Sequence, residues 1–283
     1  MSTILTALAV LAAAAPGLLV SPAELAASLK DPATVVIFVG STEADFVAGH
    51  IPNARFVRYD QIAVDANGLS SELPPVDDLR KVLSAAGISD TSKVVIYGAA
   101  IPAARMFFTL DYLGHPHAKL LNGGLNAWKA SGGAIEMGAP KPVAAATLTP
   151  RPQPSRVVSA DWIKERLSSP NMTLLDARPD AEFTGADGGM NGMHVKGHLP
   201  DAQQLVWNSL LDPSGKYLPD AELKKKFEAI GANTATPLVS YCMVGMRASV
   251  TYFVARHLGY DARMYDGSIV DWTRRKLPAV MGR

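Results

Sequence analysis

Cysteine is almost absent from this sequence: one, Cys242, occurs among 283 residues. A single thiol excludes an internal disulfide framework, and it also excludes a metal site built from several thiolates. We therefore expect no bound metal and no cofactor. Any chemistry of this protein that needs a thiol has to use Cys242.

A large excess of charge of either sign is missing as well. Lys and Arg together number 27, and Asp and Glu number 26, which leaves a formal net charge of +1. Such a balance implies no broad electrostatic attraction to nucleic acid or to an anionic membrane. We therefore expect small-molecule partners, no nucleic acid and no stable membrane association.

A long hydrophobic run is also lacking, although the N-terminus carries a short one. Residues 4–15 form an uncharged apolar run of twelve residues, too short to span a bilayer. Its small-residue end resembles the end of a secretory signal, but no Lys or Arg precedes the run. We predict that residues 1–20 are a signal peptide or an apolar segment packed on the domain. The expected location is periplasmic or secreted, and the alternative is cytoplasmic.

What the sequence does contain is an internal repeat, because four blocks recur in the same order. The blocks of the first copy and their partners in the second copy are 38–46 with 175–183, 49–54 with 197–202, 94–97 with 238–241, and 121–128 with 265–272. The second copy carries an insertion at 184–194, rich in Gly and Met, which has the composition of a loop.

The two copies predict two domains, 21–137 and 158–283, joined by a Pro-rich linker over 138–157. Each copy alternates short apolar strands with helical segments. That pattern is typical of an α/β fold with a mainly parallel sheet covered by helices on both faces. In such sheets ligands bind beyond the carboxyl ends of the strands, and Cys242 follows one of these ends.

Cys242 lies between an apolar strand pattern, 237–241, and an apolar helical pattern, 250–258. Loop amides and the positive end of the helix favour a thiolate at such a position. The alternative is a buried cysteine that acts as a small hydrophobic residue. Gly245 and Arg247 argue against that alternative, because a packed cysteine needs neither.

A thiolate inside a ring of amides can attack a sulfur that bears a good leaving group, hold it as a persulfide and pass it on. The persulfide is an anion and needs hydrogen-bond donors around it. Gly245 permits the backbone angle of a tight ring. Arg247 either holds an oxyanion of the donor or fixes the loop through a salt bridge. The candidate ring residues that bind substrate are Met243, Val244, Gly245, Met246, Arg247 and Ala248.

These features resemble the tandem-domain rhodanese family of sulfurtransferases. The resemblance rests on four motifs of the second copy, in family order: 176–178, 197–202, 242–247, and 265–268 followed by Trp272. It implies two rhodanese-like domains, a persulfide on Cys242 and a catalytically silent first domain. The first copy agrees, because Gly98 stands where the second has Cys242. We expect the first domain to wall off one side of the cleft, with Arg105 at the interface.

The residues around the ring predict which compound donates the sulfur. Family members that use thiosulfate carry basic residues after the cysteine, where this chain has Met243 and Val244. Members that use 3-mercaptopyruvate have Gly-Ser-Gly-Val-Thr there, and two arginines at positions that align with Glu182 and Asn191. Arg247 is then the main candidate anion binder and Arg178 a second one, with a structural role as its alternative. We predict thiosulfate or a related sulfane donor, with 3-mercaptopyruvate as the alternative.

Two rival functions remain. Phosphatases and arsenate reductases of the same fold place one residue more between cysteine and arginine than the four that separate Cys242 from Arg247. The smaller ring suits one sulfur atom better than a tetrahedral oxyanion. A non-catalytic sulfur-relay or binding module is the second rival. A sulfurtransferase acting on a small donor and on an acceptor such as cyanide or a thiol, and working as a monomer, is the preferred hypothesis.

Overall fold

The computed structural model describes residues 17–189 and 195–283. Most of the predicted signal segment, and Asn191 in the insertion, therefore lie outside the described residues. No helix within those two ranges is long and apolar enough to cross a membrane.

The first copy folds around a five-stranded sheet in which every neighbouring pair is parallel. The strand order is β1-β7-β6-β2-β3. Strand β1 begins at Leu19, upstream of the predicted start at residue 21. The elements are β1 (Leu19–Val20), α1 (Pro22–Ser28), β2 (Thr34–Gly40), α2 (Ala44–Ala48), β3 (Arg55–Arg58), β4 (Val64–Ala66), β5 (Leu69–Glu72), α3 (Val76–Ala85), β6 (Lys93–Gly98), α4 (Ala100–Tyr112), β7 (Ala118–Leu121) and α5 (Gly124–Ala130).

The second copy folds around a four-stranded parallel sheet in the order β11-β10-β8-β9. Buried apolar side chains fill the strands because both faces of each sheet are covered by helices. The α/β fold with two similar domains is therefore confirmed. The elements are α6 (Ala160–Lys164), β8 (Thr173–Asp176), α7 (Asp180–Thr184), β9 (Gln203–Gln204), α8 (Asp220–Ala229), β10 (Leu238–Tyr241), α9 (Ala248–His257), β11 (Ala262–Met264) and α10 (Ser268–Arg274).

The repeated Gly-His motif has the same structural role in both domains. The ring of His198 stacks on Phe183 with centroids 3.8 Å apart, and its Nδ1 lies 2.9 Å from the Phe183 carbonyl oxygen. His50 repeats both contacts with Phe46. The motif therefore builds a buried turn in each domain. The tyrosine that lies on each central strand accepts a hydrogen bond from the next backbone amide of that turn: Tyr97 from Ile51 and Tyr241 from Leu199.

The two domains pack together through the equivalent helices α4 and α9. Phe107 meets Phe253 edge-to-face with centroids 4.9 Å apart. Asp111 of α4 accepts hydrogen bonds from Tyr252 and Arg256 of α9. Residues 139–153 form no helix or strand and lie along the first domain, where Arg151 N donates to the Leu113 carbonyl. An apolar interface with a partly buried charge pair therefore joins the two domains.

Candidate active site

Cys242 directly follows β10, at the carboxyl end of the central strand of the second sheet. Six residues, 242–247, connect β10 to α9, and we call them the ring segment. The Cys242 side chain is fully buried. Strand, ring segment and helix therefore occur in the predicted order. The N-terminal end of a ten-residue helix lies at the ring segment, where its partial positive charge favours an anion.

Ser268 fastens the ring segment to the start of α10 at two points. Its Oγ accepts hydrogen bonds from the backbone amides of Cys242 at 3.1 Å and Gly245 at 3.0 Å. The same hydroxyl donates to the Tyr265 carbonyl, and the Cys242 carbonyl accepts from Ile269 N. The sequence motif contained Ser268, but its contact with the ring required the tertiary structure.

Gly245 turns the ring segment with φ of +79°. A Cβ atom at this position would lie 2.5 Å from Asp266 Oδ1 and 2.8 Å from the Asp266 carbonyl oxygen. Both the backbone angle and the space therefore require glycine. The ring segment packs tightly against Asp266.

Arg247 forms a bidentate ion pair with Glu182 of α7. Nη1 lies 2.7 Å from Oε1 and Nη2 lies 2.7 Å from Oε2, and both side chains are largely buried. Burial by itself would lower the pKa of Arg247, but the hydrogen bonds that it donates to Glu182 and the charge of Cys242 raise it. Arg247 is thus a permanent cation within electrostatic reach of Cys242. Its charge is balanced by Glu182, the contact expected of an arginine that fixes the loop.

Arg178 lies deeper and also has a carboxylate partner. Its guanidinium bonds Asp176 at 2.6 Å and the Gly197 carbonyl at 2.7 Å, and the side chain is fully buried. Burial would lower the pKa of Arg178, while the charge of Asp176 raises it. These contacts join the end of β8 to the Gly-His turn, which is a structural role. A contact between Arg178 and substrate stays a prediction.

The remaining candidate residues, at 243, 244, 246 and 248, carry apolar side chains. Met243 and Val244 are buried in an apolar cluster against which Met246 packs, and Ala248 is fully buried. The Met243 methyl group lies against Gly189, where a Cβ would be only 2.2 Å away. Backbone amides, rather than charged side chains of the ring, are therefore the donors available to a sulfur anion.

The first domain reaches this site through Arg105 and a hairpin. Arg105 of α4 is fully buried and pairs with Asp266, so the expectation that it faces the interface is confirmed. The hairpin β4–β5 was missed by the strand prediction. Its turn is Asn67-Gly68, with φ of +54° and +74°, and Asn-Gly is the strongest short-range hairpin signal. Leu73 N donates to Asp266 Oδ2 at 2.9 Å.

Tyr59 is a second group of the first domain that the sequence did not reveal. Burial raises its pKa, the charge of Arg105 and a hydrogen bond with Ser71 oppose this rise, and the charges of Asp266 and Cys242 add to it. A neutral phenol from the first domain therefore lies in the electrostatic field of Cys242. Within residues 17–189 and 195–283, no group of three or more His, Cys, Asp or Glu is placed to hold a metal ion.

The equivalent loop of the first domain has no ring. Helix α4 begins at Ala100, two residues after Gly98, whereas α9 begins six residues after Cys242. A Cβ at Gly98 would lie 2.3 Å from the Val39 carbonyl oxygen. An extra helical turn therefore replaces the ring, and no thiol fits there without a backbone shift. The first domain lacks both the nucleophile and its anion cradle.

Comparisons with known proteins agree with this geometry. A family model described as rhodanese-like domain matches residues 21–131 and again 159–275. The thiosulfate sulfurtransferase of Corynebacterium glutamicum is 32% identical, over 91% of this chain and 88% of its own. That of Pseudomonas aeruginosa is 30% identical, over 90% and 93%. A probable 3-mercaptopyruvate sulfurtransferase of the same organism is 31% identical, over 93% and 98%.

Solved structures share the architecture. The crystal structure of YnjE superposes with a TM-score of 0.86 at 24% identity, covering 95% of this chain and 70% of that one. An anaerobic ergothioneine biosynthesis enzyme from Chlorobium limicola gives 0.84 at 23%, covering 94% and 71%. These two likenesses support the fold alone. With both copies matched by one family model and relatives of 30% identity and more spanning the chain, this protein belongs to the rhodanese-like family and is a two-domain sulfurtransferase.

Proposed function

We propose that the enzyme moves a sulfane sulfur from thiosulfate, or a related sulfane donor, to a thiophilic acceptor such as cyanide or a thiol. A persulfide on Cys242 is the intermediate. The observation that carries this proposal is the ring segment itself. A buried thiol stands at a strand end, inside a backbone turn that Ser268 fastens at Cys242 and Gly245.

The reaction has two steps. The Cys242 thiolate attacks the outer sulfur of thiosulfate, a sulfur–sulfur bond forms, and sulfite leaves with the electron pair of the broken bond. Cyanide then attacks the outer sulfur of the persulfide, the new sulfur–sulfur bond breaks, and thiocyanate leaves with the thiolate restored. No external oxidant or reductant is needed, and one covalent intermediate joins two half-reactions.

The persulfide anion is stabilised by backbone groups. The amides of the ring segment and the N-terminal end of α9 supply partial positive charge to a buried sulfur. The Arg247–Glu182 pair adds little net charge, because its two members compensate each other. A site of this kind suits a single sulfur atom that carries one negative charge.

The donor preference follows from position 182. The arginine that 3-mercaptopyruvate users carry there is replaced by Glu182, whose carboxylate is occupied by Arg247. A mercaptopyruvate carboxylate therefore loses its clamp at this position. The names of the relatives do not decide the donor, because thiosulfate sulfurtransferases at 32% and 30% identity stand beside a probable 3-mercaptopyruvate sulfurtransferase at 31%. We rank thiosulfate and related sulfane donors above 3-mercaptopyruvate.

The test is a donor panel of thiosulfate, 3-mercaptopyruvate and glutathione persulfide, with cyanide as the common acceptor and thiocyanate as the product. Cys242→Ser is the negative control. Mass spectrometry of the thiosulfate-treated enzyme should show one added sulfur on Cys242. A large preference for mercaptopyruvate would overturn the donor assignment, and an unmodified Cys242 with every donor would leave the non-catalytic binding module.

The location of the enzyme is a separate proposal. We infer export to the periplasm or outside the cell from the N-terminal run, with the cytoplasm as the alternative. N-terminal sequencing of the protein recovered from the periplasmic fraction tests it. A mature chain that keeps Met1 and stays in the cytoplasm would contradict export. Gel filtration of the same material tests whether the two packed domains work as a monomer.

A further inference from the structure

Arg105 is a fully buried arginine of the first, catalytically silent domain, and it forms an ion pair with Asp266 of the second domain. Its Nη1 lies 2.5 Å from Asp266 Oδ1 and its Nη2 lies 3.0 Å from Asp266 Oδ2. Nη2 also donates to the Ser71 carbonyl of the hairpin at 2.6 Å. The second copy has Ser249 at the matching position of α9, so this helix does not need an arginine in order to pack. We therefore assign the charge of Arg105 to its contact with Asp266 in the second domain rather than to the packing of α4.

Asp266 connects that charge to the ring segment. Its Oδ1 and carbonyl oxygen are the atoms that a Cβ at Gly245 would meet at 2.5 and 2.8 Å. Two residues later, Ser268 accepts the amide hydrogens of Cys242 and Gly245. The Asp266–Ser268 segment thus touches the ring through a carboxylate and through a hydroxyl. A shift of Asp266 would therefore displace the backbone of the ring segment that it contacts at Gly245.

The repeat inside this chain separates the structural part of this contact from the charged part. In the first copy, Asn122 stands where the second has Asp266, and its side chain accepts from Tyr217 N at 2.8 Å. Asp266 accepts from Leu73 N at 2.9 Å in the same way. A side-chain latch between the domains is therefore common to both copies. The latch beside the ring segment differs in that it uses an aspartate, Asp266, which pairs with Arg105.

We propose that Arg105 is a positioning residue of the active site, which holds Asp266 against Gly245 and so fixes the backbone of the ring segment around Cys242. The proposal rests on the proposed function, since the ring is taken to hold a persulfide. It gives the silent domain a task in the reaction. Without Arg105, the buried Asp266 carboxylate loses its cation and its negative charge faces the thiolate.

The experiment uses the full chain with the substitutions Arg105→Met, Arg105→Lys and the double change Arg105→Met with Asp266→Asn. The matched control is Arg256→Met, which breaks an ion pair with Asp111 in the same interface, away from the ring. Three quantities are measured: the thermal midpoint, kcat and KM with thiosulfate and cyanide, and the pH profile of Cys242 alkylation by iodoacetamide. The other charged or titratable groups near the ring segment and Asp266 are unchanged in all variants; they are Arg247, Glu182, Tyr59, Glu72 and Asp271.

Arg105→Met should lower kcat by about tenfold or more, because misplaced donors stabilise the persulfide less well. Its alkylation profile should move to higher pH. Arg105→Lys should recover part of both effects. The double variant should recover the alkylation profile, because the uncompensated carboxylate is gone. Arg256→Met should lower the thermal midpoint and leave kcat and the alkylation profile unchanged.

The proposal is overturned if Arg105→Met and Arg256→Met lower the thermal midpoint alike and share the wild-type kcat and alkylation profile. It is also overturned if Arg105→Met does not fold while the folded Arg105→Lys and double variants keep wild-type kcat and profile. Alkylation of Cys242 needs no sulfur transfer, so the positioning role of Arg105 can be tested independently of the proposed sulfurtransferase function. A wild-type enzyme that transfers no sulfur would refute the function, whereas an unmoved alkylation profile in Arg105→Met would refute the positioning role.

Discussion

Glu182 and Arg247 lie 65 positions apart in the sequence and form a largely buried bidentate ion pair, with both nitrogen–oxygen distances at 2.7 Å. The pair joins α7 to the end of the ring segment next to Cys242. Arg247 was the main sequence candidate for holding an anionic donor. Its carboxylate partner means that the positive charge at the ring is already compensated before a donor arrives.

The substitution Glu182→Gln should therefore release the charge of Arg247. We expect KM for thiosulfate to fall several-fold, because an uncompensated cation near the ring attracts a dianion. The free energy of unfolding should fall by about 2–4 kcal/mol, since one partner of a buried pair is lost. Steady-state kinetics and urea unfolding measure these changes. Glu165→Gln breaks an exposed pair with Arg166 and should change neither; a raised KM in Glu182→Gln would contradict the charge argument.

Gly245→Ala should abolish most activity. The variant combines a left-handed backbone angle with a Cβ placed 2.5 Å from Asp266 Oδ1. Gly215→Ala is a matched control, because φ is +82° there and nothing lies within 4 Å of the added Cβ. The control should lose about 1–2 kcal/mol of stability from the backbone angle and no activity. Gly245→Ala should lower the free energy of unfolding clearly more than the control does, as measured by urea unfolding. Equal losses in the two variants would show that the contact with Asp266 is unimportant.

Gly98→Cys should not create a second active site. The added Cβ would lie 2.3 Å from the Val39 carbonyl oxygen, and α4 occupies the place of a ring. In a Cys242→Ser background, the introduced thiol should gain no sulfur from thiosulfate. Intact-mass spectrometry is the measurement, and the wild-type chain is the positive control. Sulfur transfer to the introduced thiol would refute the view that the ring backbone is essential.

Stability should depend on the ionisation of Glu72 in the hairpin. Burial raises the pKa of Glu72 from 4.5 to about 7, with further contributions from Asp266 and Asp271 and an opposing one from Arg105. The folded protein then holds a proton that the unfolded chain releases. The contribution of protonated Glu72 to the stability of the folded protein is therefore fully present below pH 4.5 and is lost as the pH rises through about 7. Solvent screening of the partly exposed side chain limits it to about 1–2 kcal/mol.

Urea unfolding from pH 4.5 to 8 of wild type and Glu72→Gln measures this effect. The wild-type free energy of unfolding should fall relative to that of the variant as the pH rises. Glu228→Gln changes an exposed carboxylate paired with Lys224 and should keep the wild-type slope. Parallel curves for wild type and Glu72→Gln would show that Glu72 ionises normally.

Much of the fold was readable from local pattern. The strands and helices of both copies follow the periodicity of their own apolar residues, which acts over a few positions. Local sequence also showed that Cys242 follows the end of a strand and that the first domain has Gly98 instead of a thiol at the matching position. The hairpin β4–β5 was missed because its strands are short and partly polar, although Asn67-Gly68 marked its turn.

The sequence alone determined that two similar α/β domains exist and that Cys242 is the nucleophile candidate, and its spacing to Arg247 predicts a ring that suits one sulfur atom. Tertiary structure decided what surrounds the ring. Glu182 meets Arg247, and Arg105 crosses the domain interface to Asp266, 161 positions away. Such pairs depend on how α4 packs on α9 and how α7 lies beside the ring segment. No local pattern encodes them, because they arise from packing between elements that are distant in sequence.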